Sequence, residues 1–268
     1  SRPMKLCLNT STIQPQPLLD KIQITAEAGF TGIELWINDL YQYIGQGGEV
    51  RDIENALADH GLELPCMIAV RGWGEAIGRE YQLLLDEARR RMELAARLGS
   101  PFVVATPPRE TCEQNQLTDR FGDLLKIGDE IGTRPTLEYI SFFKGLSTLD
   151  AAWEIIQTIG GRATLIADSF HTWNSHSDRT LLGRIPAEHL SHFHINDAHP
   201  TINCCEQTDP DRMMLGEGPI DLKSEFEMLH KIGYKGSVSL ELFNVDLWQQ
   251  NPLTVAQQGY QSLSDLAT

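Results

Sequence analysis

The chain has 268 residues, close to the roughly 250 of a (β/α)8 barrel and enough to bury a sizeable core. Apolar residues make up 41% of it and charged residues 22%, the proportions of a soluble globular protein. A formal net charge of −15 repels phosphate backbones and anionic lipid headgroups. No nucleic acid and no membrane surface is therefore expected as a partner, and a neutral small molecule or a metal cation suits the surface better.

Ser1-Arg2-Pro3 leads directly into strand-like residues, without the basic and then apolar stretches of a secretory leader, and no run of 18 apolar residues occurs. The five cysteines are Cys7, Cys66, Cys112, Cys204 and Cys205; the number is odd and no C-x-x-C pair exists. That points to free thiols in a reducing, cytoplasmic compartment, with Cys204 and Cys205 as two loop thiols rather than a vicinal disulfide.

The first strand is predicted near Lys5–Asn9 and the first helix over Pro17–Ala28. One junction then recurs: an amphipathic stretch ends in Gly, and an apolar run follows within a few residues. It reads Ala28-Gly29-Phe30 before Gly32–Trp36, His60-Gly61-Leu62 before Met67–Val70, and Leu98-Gly99-Ser100 before Phe102–Ala105. It recurs as Ile131-Gly132-Thr133 before Thr136–Glu138, Ile159-Gly160-Gly161 before Thr164–Ile166, and Ile232-Gly233-Tyr234 before Ser237–Leu240. Glycine after a helix adopts the left-handed conformation at little cost and turns the chain back. Six such junctions mean alternating helix and strand, hence a parallel sheet.

Further helices are predicted over Ile53–His60, Glu80–Leu98, Thr118–Ile131, Leu149–Ile159, Asp178–Ile185, Leu222–Ile232 and Leu253–Leu266, and a seventh strand near Leu190–Ile195. Eight strands and eight helices predict a single (β/α)8 TIM barrel over residues 1–268, with a doubly wound open sheet as the structural alternative. Gly216–Asp221 reads as a turn with Asp221 capping the following helix. No basic cluster accompanies it, as a phosphate cradle would need.

Catalytic groups of a barrel sit at the C-terminal ends of its strands. Glu138, Asp168, His194 and Glu241 end strands five to eight. Strand side chains alternate, and the neighbours Leu137, Leu165, Ala167, Phe193, Ile195, Leu240 and Leu242 are apolar, so the four polar residues share the inner face. Three converging carboxylates repel one another unless protonated or bridged by a cation. With one imidazole they make a mixed site for one divalent ion, for which Zn, Mn, Co and Mg all qualify. Glu34 also points inward, as an acceptor behind the ligands or as a structural carboxylate. His192 shares the face of His194 one layer deeper and reads as a core histidine. Trp36, Trp73, Trp173 and Phe243 lie near strand ends, where they either stack on a sugar ring or pack. Arg71, after strand three, is a candidate polar contact.

These residues carry a resemblance. Glu138-Tyr139, Asp168-Ser169-Phe170-His171, His192-Phe193-His194-Ile195-Asn196-Asp197, Gly216-Glu217-Gly218-Pro219-Ile220-Asp221 and Ser239-Leu240-Glu241-Leu242-Phe243 resemble the xylose-isomerase-like barrel superfamily, which includes sugar isomerases, epimerases and endonuclease IV-type enzymes. The Asp-Ser-Phe-His stretch, Asp209-Pro210-Asp211-Arg212 and Val238–Phe243 most resemble 2-keto-myo-inositol (inosose) isomerases. The resemblance implies that Glu138, Asp168, His194 and Glu241 are metal ligands and that His171 and Arg212 contact substrate.

The function this implies is isomerisation or epimerisation of a small polyol or keto-sugar by proton transfer through an enediolate. Glu138 and Glu241 would divide the acid and base work, in an order the sequence leaves open. Hydride shift, which uses two metals, lacks its extra ligands. Ketose 3-epimerases carry another Glu six residues past the strand-five Glu, where this chain has Lys144; hydroxypyruvate isomerisation is a further alternative. An endonuclease IV-type hydrolase is disfavoured, because Val70-Arg71-Gly72-Trp73 and Ala105-Thr106-Pro107-Pro108 lack its histidines and Arg212 stands where one is expected. A metal- or sugar-binding protein without turnover is the remaining class. Self-association into a homo-oligomer is expected from the family likeness.

Overall fold

The computed structural model describes residues 3–268, so Ser1 and Arg2 of the N-terminal stretch lie outside it. Eight strands, β1 (Lys5–Asn9), β2 (Gly32–Trp36), β3 (Glu63–Val70), β4 (Phe102–Ala105), β5 (Arg134–Leu137), β6 (Leu165–Asp168), β7 (Leu190–Ile195) and β8 (Ser237–Leu240), close in sequence order. Each neighbouring pair is parallel, including β8 with β1, where Cys7 faces Ser239 and Leu8 faces Leu240. The helices are α1 (Leu18–Glu27), α2 (Ile37–Gly45), α3 (Val50–Asp59), α4 (Arg79–Arg97), α5 (Gln114–Ile131), α6 (Leu149–Ile159), α7 (Ser169–Asn174), α8 (Leu222–Lys231), α9 (Val245–Trp248) and α10 (Pro252–Ala267). The architecture is a single (β/α)8 TIM barrel.

All six junction glycines have positive φ. At the end of α5, Gly132 sits at φ 96° and its N–H closes the helix on Gly128 O at 2.7 Å. A Cβ there would meet the strain that confines this conformation largely to glycine.

Alternation sorts the strand residues into two cores. Leu8, Ile33, Leu35, Leu137, Leu165, Phe193, Ile195, Val238 and Leu240 face outward into one continuous layer beneath the helices. Cys66, Ile68, Val104 and Ile166 form a separate apolar cluster, on which the polar mouth rests. Burying one Leu or Phe side chain stabilises by about 1.5–3 kcal/mol, so the outer layer dominates the fold.

The helix predicted over Asp178–Ile185 is not formed. Its place is taken by a 3-10 turn, Arg179–Gly183, and by the short α7 directly after Asp168. The stretch holds Gly183 and ends at Pro186, which leaves too few residues to nucleate a helix. The Asp178 carboxylate instead accepts from Thr180 N and Oγ1 and from Arg184. Three helices escape the sequence reading, α2, α7 and α9. Among the described residues no helix is long and apolar enough to cross a membrane.

Candidate active site

The C-terminal ends of β5 and β8 bring Glu138 and Glu241 to one cavity of about 210 Å³, with Asp168 and His194 buried beside Glu241. Glu138 follows β5, Asp168 ends β6, His194 is the penultimate residue of β7 and Glu241 follows β8. The register sets Asp168 beside His194 and His194 beside Ser239, two residues before Glu241. Glu138, His171, Arg212, Glu241, Trp36, Arg71 and Phe243 line the space.

Asp168, His194 and Glu241 offer ligand atoms within 4.8 Å of one another. His194 Nδ1 lies 3.4 Å from Glu241 Oε1 and 3.8 Å from Asp168 Oδ2. Those are close to the edges expected between ligands held about 2.0–2.2 Å from one ion. Glu138 does not join this cluster: it shares the cavity from the neighbouring strand.

Behind His194 stands Glu34, whose two oxygens lie 2.9 and 3.0 Å from Nε2. A carboxylate only accepts, so Nε2 carries the proton it receives. Nδ1 then presents a buried lone pair, without a hydrogen-bond partner, toward two carboxylates. Such a pair of facing acceptors is costly unless a proton or a cation lies between them. In the absence of an ion, burial opposes charging the ring, but Glu241, Glu34 and Asp168 outweigh it and push His194 up to about 10. The orphaned nitrogen and its flanking carboxylates thus fit a divalent metal. Glu34 is held well below the ordinary carboxylate range, because the His192 and His194 charges overcome its burial. His192 is buried one layer deeper, with Nε2 3.0 Å from Glu34 Oε1 but outside hydrogen-bond geometry.

Arg212 is the fixed cation of the site. Its Nη1 donates to Asp168 Oδ2 at 3.2 Å and to Glu241 Oε1 at 3.1 Å, and its Nη2 donates to Asp209 Oδ1 at 2.9 Å. The guanidinium lies 4.8 Å from the Phe170 ring centre and 5.2 Å from that of Phe243. Burial would weaken its charge, but Asp168, Asp209 and Glu241 hold it protonated beyond even the usual arginine range.

Arg212 Nη2 also lies 2.9 Å from His171 Nε2. Arginine has no lone pair to offer, so Nε2 accepts and the ring proton sits on Nδ1, 3.0 Å from Ser141 Oγ. The Ser141 N–H, 3.1 Å from the same nitrogen, is the one contact this tautomer leaves unmet. Burial, with help from Arg212, lowers His171 to about 4, against the pull of Asp168. His171 is therefore neutral and serves to aim Arg212.

The quoted motifs explain themselves locally. Asp168 uses Oδ1 to cap α7 at His171 N, 2.9 Å away, leaving Oδ2 for Arg212. Asn196 Oδ1 accepts from Ser169 Oγ and Phe170 N, both at 2.7 Å, and its Nδ2 donates to Glu241 O, so it staples three strand ends together. Asp197 fills the Gly216-Glu217-Gly218-Pro219-Ile220 turn: its carboxylate accepts from Gly216, Gly218, Ile220 and Ala198 N–H at 2.9–3.1 Å. That turn already holds an anion of its own, which excludes a phosphate cradle. Asp221 caps α8 through Ser224 N, as predicted.

Trp36 reaches the cavity with its N–H committed to Asn9 Oδ1 at 2.8 Å. Trp73 and Trp173 do not reach it; Trp73 is buried against Phe121 at 6.0 Å, and Trp173 packs on the outer core. Cys204 and Cys205 are free thiols. Sequence reading missed Asn9, which donates to Glu34 and to Glu241 Oε2, and Arg109, which lines the cavity. It also missed Asp209 as the partner of Arg212, although that residue lies three before it in the Asp-Pro-Asp-Arg run it had singled out.

Over 243 residues the chain is 28% identical to a 3-dehydroshikimate dehydratase of Pseudomonas aeruginosa, covering 85% of this chain and 36% of that protein. The chain thus spans about a third of the length of the dehydratases it matches. It is 24% identical over 255 residues to an inosose isomerase of Bacillus velezensis, covering 92% of this chain and 91% of that one. The crystal structure of the IOLI protein with a binding zinc atom superposes with a TM-score of 0.90 at 23% identity, over 98% of both chains, and shows the shared fold. The family model for the xylose isomerase-like TIM barrel matches residues 22–266, and the chain belongs to that family.

Proposed function

We propose that the protein is a divalent-metal-dependent isomerase or epimerase of a small polyhydroxy ketone, with 2-keto-myo-inositol the first candidate, acting by proton transfer next to the carbonyl. The observation that carries this reading is the buried, unpartnered Nδ1 of His194 facing the Asp168 and Glu241 carboxylates. Asp168, His194 and Glu241 are the residues that would hold the ion, and Glu138 faces the same cavity from β5. A divalent ion bound there would polarise a ketone and acidify the adjacent C–H.

The protein's own groups divide the remaining work. Both Glu241 oxygens are engaged, by Arg212 and by Asn9. Glu138 lines the same cavity, and its carboxyl has no side-chain hydrogen bond among the described residues, so Glu138 is the residue we assign to moving the proton. Arg212, locked in place by Asp209 and His171, offers a fixed positive charge to the oxygen on which negative charge develops. Phe142, Phe143, Phe243 and Trp36 wall the cavity and keep water from the intermediate.

The inosose reading is supported by isomerase relatives that match nearly end to end. Lys144 is exposed and faces Glu110 at 3.9 Å on the surface, so it does not substitute for the extra Glu of ketose 3-epimerases. A second reading, dehydration of a carboxylated cyclic ketone such as 3-dehydroshikimate, is favoured by Arg71 and Arg109 on the cavity wall and by the dehydratase relatives. Parallel assays with Mn2+ or Zn2+ separate them. Turnover of 2-keto-myo-inositol, with 3-dehydroshikimate untouched, supports the isomerase. Loss of water from 3-dehydroshikimate alone replaces it with the dehydratase.

A further inference from the structure

Away from the cavity, the loop after β7 brings together donors that the barrel-mouth chemistry does not use. The sulfurs of Cys204 and Cys205 lie 3.8 Å apart. His176, two residues past the end of α7, holds its ring nitrogens 3.5 and 3.6 Å from Cys204 Sγ. One donor atom from each of the three falls within 4.8 Å of the other two.

The sulfur–sulfur spacing is the one a tetrahedral ion imposes: with bonds of about 2.3 Å, two sulfurs stand about 3.8 Å apart. The Cys204 sulfur lies almost equally far from both ring nitrogens of His176, so turning that ring aims one nitrogen at the same ion. The backbone is bent to achieve the arrangement. His176 and Cys205, at φ 54° and 75°, are the only non-glycine residues with positive φ among those described, a conformation disfavoured for residues with a Cβ.

We propose that His176, Cys204 and Cys205 form a second cation site, binding a divalent ion of the zinc class through two thiolates and one imidazole, with solvent in the fourth position. Binding one such ion releases two thiol protons, which leaves the bound cluster neutral. The site ties the end of α7, which carries His171, to the loop that carries Arg212. Asn174 extends the link: it accepts from Cys205 N at 2.9 Å and donates to Ser141 Oγ at 2.9 Å, beside His171. The ion therefore clamps the cavity wall on which His171 and Arg212 stand.

Cobalt titration of the protein, kept reduced with a phosphine, tests the site. None of the barrel-mouth donors is a sulfur, so a thiolate-to-cobalt charge-transfer band reports the loop site alone. The band is expected to saturate within two equivalents of Co2+, the barrel mouth taking the other ion, and to be bleached by excess Zn2+. It is expected to be lost in Cys204→Ser/Cys205→Ser. In His176→Asn, which preserves the left-handed backbone preference, binding should weaken by roughly tenfold or more. Absence of the band in the unmodified protein, its survival in the double variant, or undiminished binding by His176→Asn overturns the assignment.

Discussion

At the scale of single residues, the site is a set of buried charges that restrain one another. Glu34 fixes the His194 tautomer from behind, and partners of this kind typically contribute about 10–100-fold to metal affinity. Glu34→Ala is therefore expected to weaken Mn2+ or Zn2+ binding by about that factor while the barrel stays folded, measured by competition with a chelating dye. Unchanged affinity would remove Glu34 from the support of His194. The four strand-end residues were legible in the sequence because strand alternation fixes which face a side chain takes once its strand is placed. Of their supports, Glu34 was read as an acceptor behind the ligands or a structural carboxylate, whereas Asn9 was not read: it meets Glu241 only when β8 closes on β1, a contact across the whole chain that no local pattern encodes.

At the scale of elements, two carboxylates outside the chemistry decide how the walls hold. Asp197 satisfies four backbone N–H groups of its loop. Asp197→Ala leaves them unpaired and is expected to cost about 3 kcal/mol, since buried donors without partners cost roughly 1–3 kcal/mol each and some here regain water. Urea denaturation at neutral pH measures it. Glu225 on α8 is buried with Oε2 unpartnered. Burial pushes it up to about 8; Arg179 offsets part of this, and Asp168, Asp197 and Asp221 add to it. A carboxyl raised on folding is neutral in both states at low pH, and its contribution is lost as pH rises from the ordinary carboxyl range toward 8. Glu225→Gln is thus expected to gain stability over the parent between pH 5 and pH 8, by roughly 2–4 kcal/mol at the upper end. A gap independent of pH would contradict the shift. Helices with long amphipathic stretches were read to within a few residues. Asp178–Ile185 was misread, because side-chain hydrogen bonds from Asp178 and the Gly183 and Pro186 breaks override a short apolar pattern.

At the scale of the molecule, the repeated helix–Gly–strand junction carries the fold, and eight strands close without a free edge. Closure places every strand's C-terminal end on one rim, so residues 160 apart in sequence meet within hydrogen-bond distance. Sequence order alone reveals that much. The cavity's preference among ketones lies in loop residues such as Arg71, Arg109 and Asp209, whose positions follow from packing rather than from periodicity.

The central claim is proton transfer at this rim, with Glu138 moving the proton and Glu241 completing the site. It is tested most directly by incubating the protein with Mn2+ or Zn2+ and 2-keto-myo-inositol in D2O, following deuterium entry next to the carbonyl by NMR. We predict enzyme-dependent exchange that falls by about 10²-fold or more in Glu138→Gln and in Glu241→Gln. No exchange with either metal, or exchange undiminished in both variants, would contradict it.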